Sequence, residues 1–260
     1  MREKANGTFL WVAFVAKELD KANEWEMLEV VKEMPPTLGE LYERMMHQIE
    51  RLDRGNPEFC RLVLSAATLA YRPLHLLELA TVSGLPTDIL AKMKSLRKIV
   101  ALCGSFLTVQ DDGFVYLVHQ SAKDYLSDNS TTMVFSTGGT EVHRRTMQRS
   151  LQAMQGTLKR DIYSLRHPGF SISELKIPDP DPLAHVRYSC VHWVDHFYDI
   201  YSGSRPEDQN ESDGKLVSQF LWQFCLYWLE ALGLMQHVGD GILSMTRLEN
   251  LLKVSLYLEL

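Results

Sequence analysis

The sequence predicts a mainly α-helical protein in three parts: a helical domain, a winged-helix domain with a small β-hairpin, and a second α-helical region. Over most of the chain apolar residues recur every three to four positions, as in helices that bury one face. A single hairpin pattern, SFLTVQ-DDG-FVYLVH, interrupts them. Three helices precede this hairpin and one follows it, which is the element order of a winged helix. The predicted boundaries are 1–55, 56–129 and 130–260, with a flexible loop at 202–215.

The composition is that of a globular protein whose overall charge is negative. The 260 residues are 45% hydrophobic, enough for one large domain or two to three small ones. The 27 Lys and Arg against 33 Asp and Glu give a net charge of -6, so binding to nucleic acid would need a local basic patch. The four cysteines form no CxxC pair and the N-terminus shows no secretory signal. We therefore expect reduced thiols in a cytoplasmic protein.

The first domain is predicted as three helices. GTFLWVAFVAKEL, 7–19, is apolar on most sides, and WEMLEVVKEM, 25–34, is amphipathic and ends before two prolines. Thr37 has the pattern of an N-cap because Glu40 stands three residues later. The helix that it opens has an apolar face made of Leu38, Leu41, Met45 and Ile49.

The winged-helix domain begins with a helix through FCRLVLSAATLA and a short helix closed by Gly84. A third helix is predicted from Pro86-Thr87-Asp88 onward, and Lys92 is placed toward its apolar side. That side consists of Ile89, Met93, Leu96, Ile99, Val100 and Cys103. The hairpin and a helix through SAKDYL complete the domain.

The remainder is predicted as helices with irregular connections. Residues 130–141 are a predicted loop, and IPDPDPLA, 177–184, must be extended because each proline restricts itself and its predecessor. The predicted helices are 142–158, 188–201, 216–235 and about 241–257. The helix at 216–235 imitates a membrane span, but it carries two glutamines and a glutamate, so we expect a buried helix in a protein that does not enter the membrane.

Two groups of side chains suggest DNA binding and zinc binding, but the surrounding sequence disfavours both. Lys94, Arg97 and Lys98 share one face of the third winged-helix helix, as in a DNA recognition helix. However, residues 56–130 contain seven basic and seven acidic side chains, and this balance favours a solvated helix face. Cys190, His192 and His196 have a spacing that could reach one zinc ion, but no second ligand pair accompanies them, so a packed helix is favoured. No metal site is predicted.

The chain also lacks the patterns of a catalyst. Neither GxSxG nor GxxxxGK[ST] occurs, so the chain by itself offers no nucleophile elbow and no phosphate cradle for hydrolysing a nucleotide. We expect no enzyme activity and no cofactor for this chain alone.

His119 lies where the second hairpin strand gives way to a helix. A helix N-terminus favours an anion, and a histidine there can donate a hydrogen bond to a phosphate oxygen. The alternative from the same residues is that the ring caps the helix or packs between hairpin and helix.

Several blocks of the sequence carry a family resemblance over about residues 5–200. The chain resembles the NACHT-type STAND nucleotide-switch proteins of filamentous fungi, related to vegetative-incompatibility proteins with WD40 or ankyrin repeats. The blocks are GTFLWVAFVAKEL, MPPTLGELYERMMHQI, AYRPLHLLELA, CGSFLTVQDDGFVYLVHQSAKDYL, LKRDIYSLRHPG and PDPDPLAHVRYSCVHWVDH. In that family a P-loop core precedes a first helical domain, a winged helix and a second helical domain, and a repeat sensor follows.

The resemblance implies a non-catalytic regulatory part of such a switch, in non-self recognition or programmed cell death. The chain would then be a fragment of a longer receptor or a degenerate gene product. Its implied partners are the P-loop core and repeat sensor or other proteins, with no membrane role and with self-association on activation. A DNA-binding winged-helix regulator and a helical protein-interaction scaffold are the alternatives.

The resemblance also implies particular residue roles. Val118-His119-Gln120 occupies the place of a Met-His-Asp motif, so His119 becomes a candidate sensor of the ADP phosphate, although the acidic third residue is replaced. Gly7 and Phe9 stand at the Gly-x-Pro position beside the adenine, with phenylalanine in place of proline. ADP or ATP is the implied cofactor of a full-length receptor.

Overall fold

The structure is mainly helical, as the sequence predicts. This computed structural model describes residues 9–20, 23–90, 92–104, 106–128, 134–135, 138–167, 169–202 and 211–256. Within these ranges it has twelve α-helices, one 3₁₀ turn and three short β-strands.

The first section contains three helices: α1 (Phe9–Leu19), α2 (Met27–Glu33) and α3 (Leu38–Glu50). The predicted cap of α3 is confirmed, because the Glu40 N–H donates to Thr37 Oγ1 at 3.3 Å and the Thr37 N–H donates to Glu40 Oε2 at 3.4 Å. The predicted apolar face of α3 is buried at three of its four positions and half-buried at Leu38. Helix α2 has no buried residue at all.

The winged helix contains a three-stranded antiparallel sheet rather than a hairpin alone. Its elements are α4 (Asn56–Leu69), β1 (Leu74–His75), α5 (Leu76–Ser83), α6 (Thr87–Leu90), α7 (Met93–Leu102), β2 (Leu107–Val109), β3 (Phe114–Leu117) and α8 (Gln120–Ser127). The predicted β2–β3 hairpin is confirmed, and β3 is the central strand in the order β1-β3-β2. Strand β1 is too short to show a periodic pattern, so the sequence did not predict it.

The prediction of one continuous third helix is wrong. The chain forms two helices, α6 and α7, and Lys92 between them has an extended backbone at φ -127° and ψ 103°. Ile89 and Met93 keep helical spacing across the break, so the apolar pattern does not register it. Lys92 is exposed rather than directed toward the apolar side.

The second helical region consists of α9 (Gly139–Thr157), a 3₁₀ turn (Ile172–Glu174), α10 (Arg187–Tyr201), α11 (Glu211–Leu234) and α12 (Val238–Leu256). The segment at 177–184 contains no helix, but the prediction that it is extended throughout is wrong: the chain bends at 179–180 and turns at 182–184, where the Ala184 N–H donates to the Asp181 carbonyl at 3.2 Å. Helix α11 begins at Glu211, inside the predicted 202–215 loop, and residues 203–210 lie outside the described part of the chain. Among the described residues, none of the helices is long and apolar enough to cross a membrane.

Two apolar cores organise these elements. The first runs from α1 to α8 and buries side chains such as Tyr42, Leu64 and Phe106, so residues on both sides of the predicted boundary at 55 contribute to it. The second lies among α9, α10, α11 and α12 around Trp193 and Trp228. Tyr188 of α10 is 1% exposed and packs with the first core. Helix α10 therefore joins the two cores. The predicted three-domain division stays a prediction.

Candidate functional site

His119 lies between β3 and α8, and its ring caps α8. The Ser121 N–H donates to His119 Nδ1 at 3.1 Å, and the Ser121 hydroxyl lies 2.9 Å from the same nitrogen. A neutral imidazole that accepts at Nδ1 carries its proton on Nε2. Since His119 is exposed, this Nε2–H is a donor that an oxyanion can reach. The capping alternative is confirmed, and the phosphate role stays a prediction.

A series of hydrogen bonds that begins in the first core orients the His119 ring. Tyr42 Oη lies 2.9 Å from Ser121 Oγ, and Ser121 in turn contacts the ring. Burial raises the pKa of Tyr42, so its phenol stays protonated and available as a donor. Tyr42 is held in the first core, and through Ser121 it fixes the orientation of the His119 ring.

The neighbours of His119 in the predicted motif make their own contacts. Gln120 Nε2 donates to Asp124 Oδ1 at 2.9 Å, so this side chain is directed along α8 rather than toward the ring. The Val118 N–H donates to the Phe106 carbonyl at 2.9 Å and holds the end of β3. Neither side chain shares a described contact with the His119 ring. Of the predicted adenine-side residues, Gly7 and the side chain of Phe9 lie outside the described part of the chain.

A second polar site joins the winged helix to α10. Glu78 of α5 is 2% exposed and accepts hydrogen bonds from Arg72 at 2.6 and 2.8 Å. The same carboxylate accepts the His75 N–H at 2.8 Å and the Tyr188 N–H at 3.0 Å. The Tyr188 N–H belongs to the first turn of α10, where the backbone donors have no partner inside the helix and a negative charge is favoured. Glu78 therefore caps α5 and the start of α10 together.

A tyrosine and histidine cluster continues this junction. Tyr188 Oη lies 2.8 Å from His196 Nε2, and His196 Nδ1 lies 2.8 Å from His143 Nδ1. On the winged-helix side, the Tyr71 hydroxyl donates to Asp199 Oδ2 at 2.6 Å, and its ring lies 4.9 Å from that of His196. The contacts run from the winged helix through α10 to α9.

Burial fixes the charge state of this cluster. It lowers the pKa of His196 well below its usual value, and it also lowers the pKa of His143. Both rings are therefore neutral at pH 7. In one consistent arrangement Tyr188 donates to His196 Nε2, and the proton on His196 Nδ1 is donated to His143 Nδ1.

The histidines considered for zinc are turned to different partners. His192 Nδ1 lies 2.9 Å from Asp195 Oδ2, whereas His196 contacts Tyr188 and His143. Burial raises the pKa of the Cys190 thiol to about 12. In the residues that the structure describes, no group of three or more His, Cys, Asp or Glu side chains has the geometry to hold a metal ion.

The basic face of α7 is open to solvent. Lys94, Arg97 and Lys98 are exposed, and in the described ranges none of them forms an ion pair. These side chains lie together on one helix, as the sequence predicts.

The junction residues were not predicted from the sequence. The signal that could have found them is a charged residue inside an apolar helix, since Glu78 stands in LHLLELA. Its partner Tyr188 lies 110 residues further along the chain. Only the fold identifies that pair.

The chain is 40% identical over 268 residues to "Vegetative incompatibility protein HET-E-1" of Podospora anserina, a match that covers 97% of the chain and 20% of that protein. The chain thus spans about a fifth of the length of this curated relative. The family model described as GPI inositol-deacylase, winged helix domain, matches residues 42–137. No solved structure matches the chain. The predicted winged helix is confirmed.

Proposed function

The chain is a relative of the fungal vegetative-incompatibility proteins, as its sequence predicts, and on that premise we propose that it is a regulatory, non-catalytic module of a NACHT-type signalling switch. Its role is to pass the nucleotide state of a P-loop core to sensor and effector domains in the cytoplasm. The partners are the other domains of a longer receptor.

The oriented ring of His119 is the observation that carries this proposal. Its Nδ1 is occupied by Ser121, so the Nε2–H is the free donor at the start of α8. A phosphate oxygen of bound ADP fits such a donor, because hydrogen bonds to a charged acceptor are short and strong. When bound, the nucleotide would supply the negative charge, and His119 would supply an already oriented donor.

A contact of this kind is strong enough to bias a switch. A hydrogen bond to a charged group contributes about 1.5–3 kcal/mol, which changes a two-state population by roughly tenfold to a hundredfold. The bias exists only if His119 reaches the phosphate in one arrangement of the domains and not in the other. Under this proposal the arrangement with the contact is the resting one.

The junction supports transmission beyond the winged helix. Glu78 binds the start of α10, and Tyr71 binds Asp199 near the other end of the same helix. With two anchors on one helix, the winged helix and α10 are expected to move together. A displacement at His119 would then reach the second helical region.

The test uses the full-length receptor with two substitutions at one position. His119→Ala removes the cap and the ring, whereas His119→Ser keeps a good N-cap but is too short to offer the Nε2 donor. If the ring holds the resting state through phosphate, both variants raise basal cell-death signalling by about tenfold or more and accelerate release of bound ADP. If only capping matters, His119→Ser behaves as the parent protein and the proposal fails.

DNA binding is a second candidate function, favoured by the exposed basic side chains of α7. The measurement is a salt titration of duplex DNA binding by the chain and by a variant with Lys94, Arg97 and Lys98 changed to glutamine. Phosphate contacts would give a steep loss of affinity with salt that the variant lacks. Absence of binding at low salt excludes this function.

A further inference from the structure

A groove of about 480 Å³ lies between α7 and strand β2, next to the exposed basic side chains of α7. Its floor is apolar, because Val100 and Leu107 are 1% and 2% exposed and Val109 and Val118 are half-buried. The volume is within the range of ligand-binding clefts, so the groove can receive apolar side chains of a partner.

The α7 side of this groove is positively charged. Arg97 is the only charged residue among the described residues that line the groove, and Lys94 and Lys98 lie within one turn of it on the same helix. Helix α7 contains no acidic residue. In the described parts of the chain no carboxylate forms an ion pair with any of these three cations. The α7 side therefore favours an anionic group of a partner.

The nearest acidic residues along the hairpin lie in its turn. Asp111 and Asp112 follow Val109 by two and three residues, and neither of them lines the groove. Asp112 Oδ1 accepts the Phe114 N–H at 3.0 Å, so this carboxylate is part of the turn. The groove thus has a cationic end at Arg97 and an acidic end at the hairpin turn. This asymmetry sets the direction in which a charged partner can bind.

Strand β2 is an edge strand with an open side. The strand order is β1-β3-β2, so among the described strands β2 pairs with β3 alone. The Val118 N–H donates to the Phe106 carbonyl at 2.9 Å. The Gln110 N–H donates to the Phe114 carbonyl at 3.0 Å, so Phe106 and Gln110 both face β3. Because residues alternate in an antiparallel ladder, the backbone groups of Val109 are directed away from β3, where an extended partner segment can pair with them.

We propose that this groove binds an extended, acidic peptide segment of a partner protein, which adds to β2 as a further strand. The backbone of the segment pairs with Val109. Its apolar side chains, at alternate positions, enter the groove over Val100 and Leu107. A carboxylate of the segment pairs with Arg97 and Lys94, and this end points away from the acidic hairpin turn.

A peptide fits these features better than the duplex DNA considered above. The phosphate backbone of DNA offers no apolar side chain for the floor of the groove, and it does not extend a β-sheet. Residues 56–130 carry seven basic and seven acidic side chains, whereas DNA-binding domains usually present an excess of positive charge. Both partners would use the exposed face of α7, so the two functions compete. Peptide binding does not depend on nucleotide and stands or falls separately from the role of His119.

Selection from a random peptide library, followed by titration of synthetic peptides, tests this proposal. Phage that display short random peptides are selected on the whole immobilised chain. They are depleted on a groove variant in which Lys94, Arg97 and Lys98 are changed to glutamine. Enriched peptides are synthesised with a fluorophore, and their dissociation constants for each chain are measured by fluorescence anisotropy at low salt, where charge pairs are least screened.

Further variants separate the effect of charge from that of strand pairing. The charge control changes Lys159, Arg160 and Arg166 to glutamine, which removes the same number of exposed cations from the second helical region. Val109→Ala removes only the side chain beyond Cβ. Val109→Pro also removes the N–H, and proline is tolerated on an edge strand where the N–H faces outward. Circular dichroism checks that each variant is folded.

We expect the enriched peptides to be acidic and to carry apolar side chains at alternate positions. The groove variant should bind them at least about tenfold more weakly than the parent and the charge control. Val109→Pro should bind roughly threefold to tenfold more weakly than Val109→Ala, the effect of one neutral hydrogen bond.

Three results would overturn the proposal. One is that no peptide is enriched, or that the enriched peptides lack acidic residues. Another is equal binding by Val109→Pro and Val109→Ala, which excludes addition to β2. The third is salt-dependent binding of duplex DNA by the parent chain with no enriched peptide, which would assign the α7 face to DNA instead.

Discussion

Replacing Glu78 by alanine should separate the winged helix energetically from α10. In the folded chain this buried carboxylate accepts two hydrogen bonds from Arg72 and one each from the His75 and Tyr188 N–H groups. Alanine removes all four acceptor contacts at once. It also leaves a polar gap between α5 and the first turn of α10.

The expected loss follows from which donors remain without partners. Two backbone N–H groups lose their acceptor, and each such buried group costs about 1–3 kcal/mol. Arg72 has a side chain that is 34% exposed, so water can replace part of its partner. Together these effects predict that Glu78→Ala lowers the free energy of unfolding by about 3–5 kcal/mol, the range for breaking a buried ion pair from one side.

The assay is urea unfolding followed by tryptophan fluorescence and circular dichroism. The control is Glu58→Ala, because Glu58 is 62% exposed and pairs with Arg61 at the surface, where such a pair contributes about 0–1 kcal/mol. The Tyr71–Asp199 contact remains in this variant, so loss of Glu78 should weaken the coupling between the two cores rather than remove it, and the two probes should then follow different transitions. A Glu78→Ala chain that unfolds in one transition with the control's midpoint would refute the reasoning.

Three further predictions concern single sites. His119→Ala should cost about 0.5–2 kcal/mol in chemical unfolding, because α8 loses its cap, and His119→Asn should restore most of it. Burial lowers the pKa of His196, so the neutral ring is favoured in the folded state. The contribution of this ring to the free energy of unfolding is therefore fully present above about pH 6.5, the pKa of a histidine in the unfolded chain. At lower pH the free energy of unfolding decreases by up to about 1.4 kcal/mol per pH unit. His196→Asn should flatten that slope between pH 7.5 and 5, and an unchanged slope would exclude His196 as its source. Gly84→Ala should cost about 1–2 kcal/mol, because Gly84 has φ of 75° and a Cβ would lie 2.1 Å from the Arg149 guanidinium. Gly156→Ala, in open space on α9, should instead stabilise the chain, and equal effects of the two glycine changes would contradict the strain argument.

Local patterns predicted those features that depend on neighbouring residues. The Thr37 and Glu40 capping box, the turn at Gly113 and the left-handed end of α5 at Gly84 all arise within a few residues, so the sequence shows them. Likewise His119 stands at a strand-to-helix transition, and its capping role follows from the Ser121 N–H two residues later.

The ends of helices were harder to predict where the spacing of apolar residues continues across a gap between two helices. The apolar spacing runs across the extended Lys92 between α6 and α7, and polar residues before 216 conceal the first turn of α11. Strand β1 has two residues and exists because β3 lies beside it, with Leu74 opposite Val115. A pattern of one segment does not contain its pairing partner.

The sequence by itself determined the set of helices, the winged-helix order and the family resemblance. Caps, turns and apolar periods depend on residues that are close together in the sequence, so they can be identified without the fold. What only the tertiary structure decided is how the parts are joined. The Glu78 and Tyr188 contact spans 110 residues, and the His143 and His196 contact spans 53. Residues this far apart in the sequence are not brought together by the local conformation of the chain. They form because burial leaves each polar group with no acceptor or donor except the one that the fold brings to it.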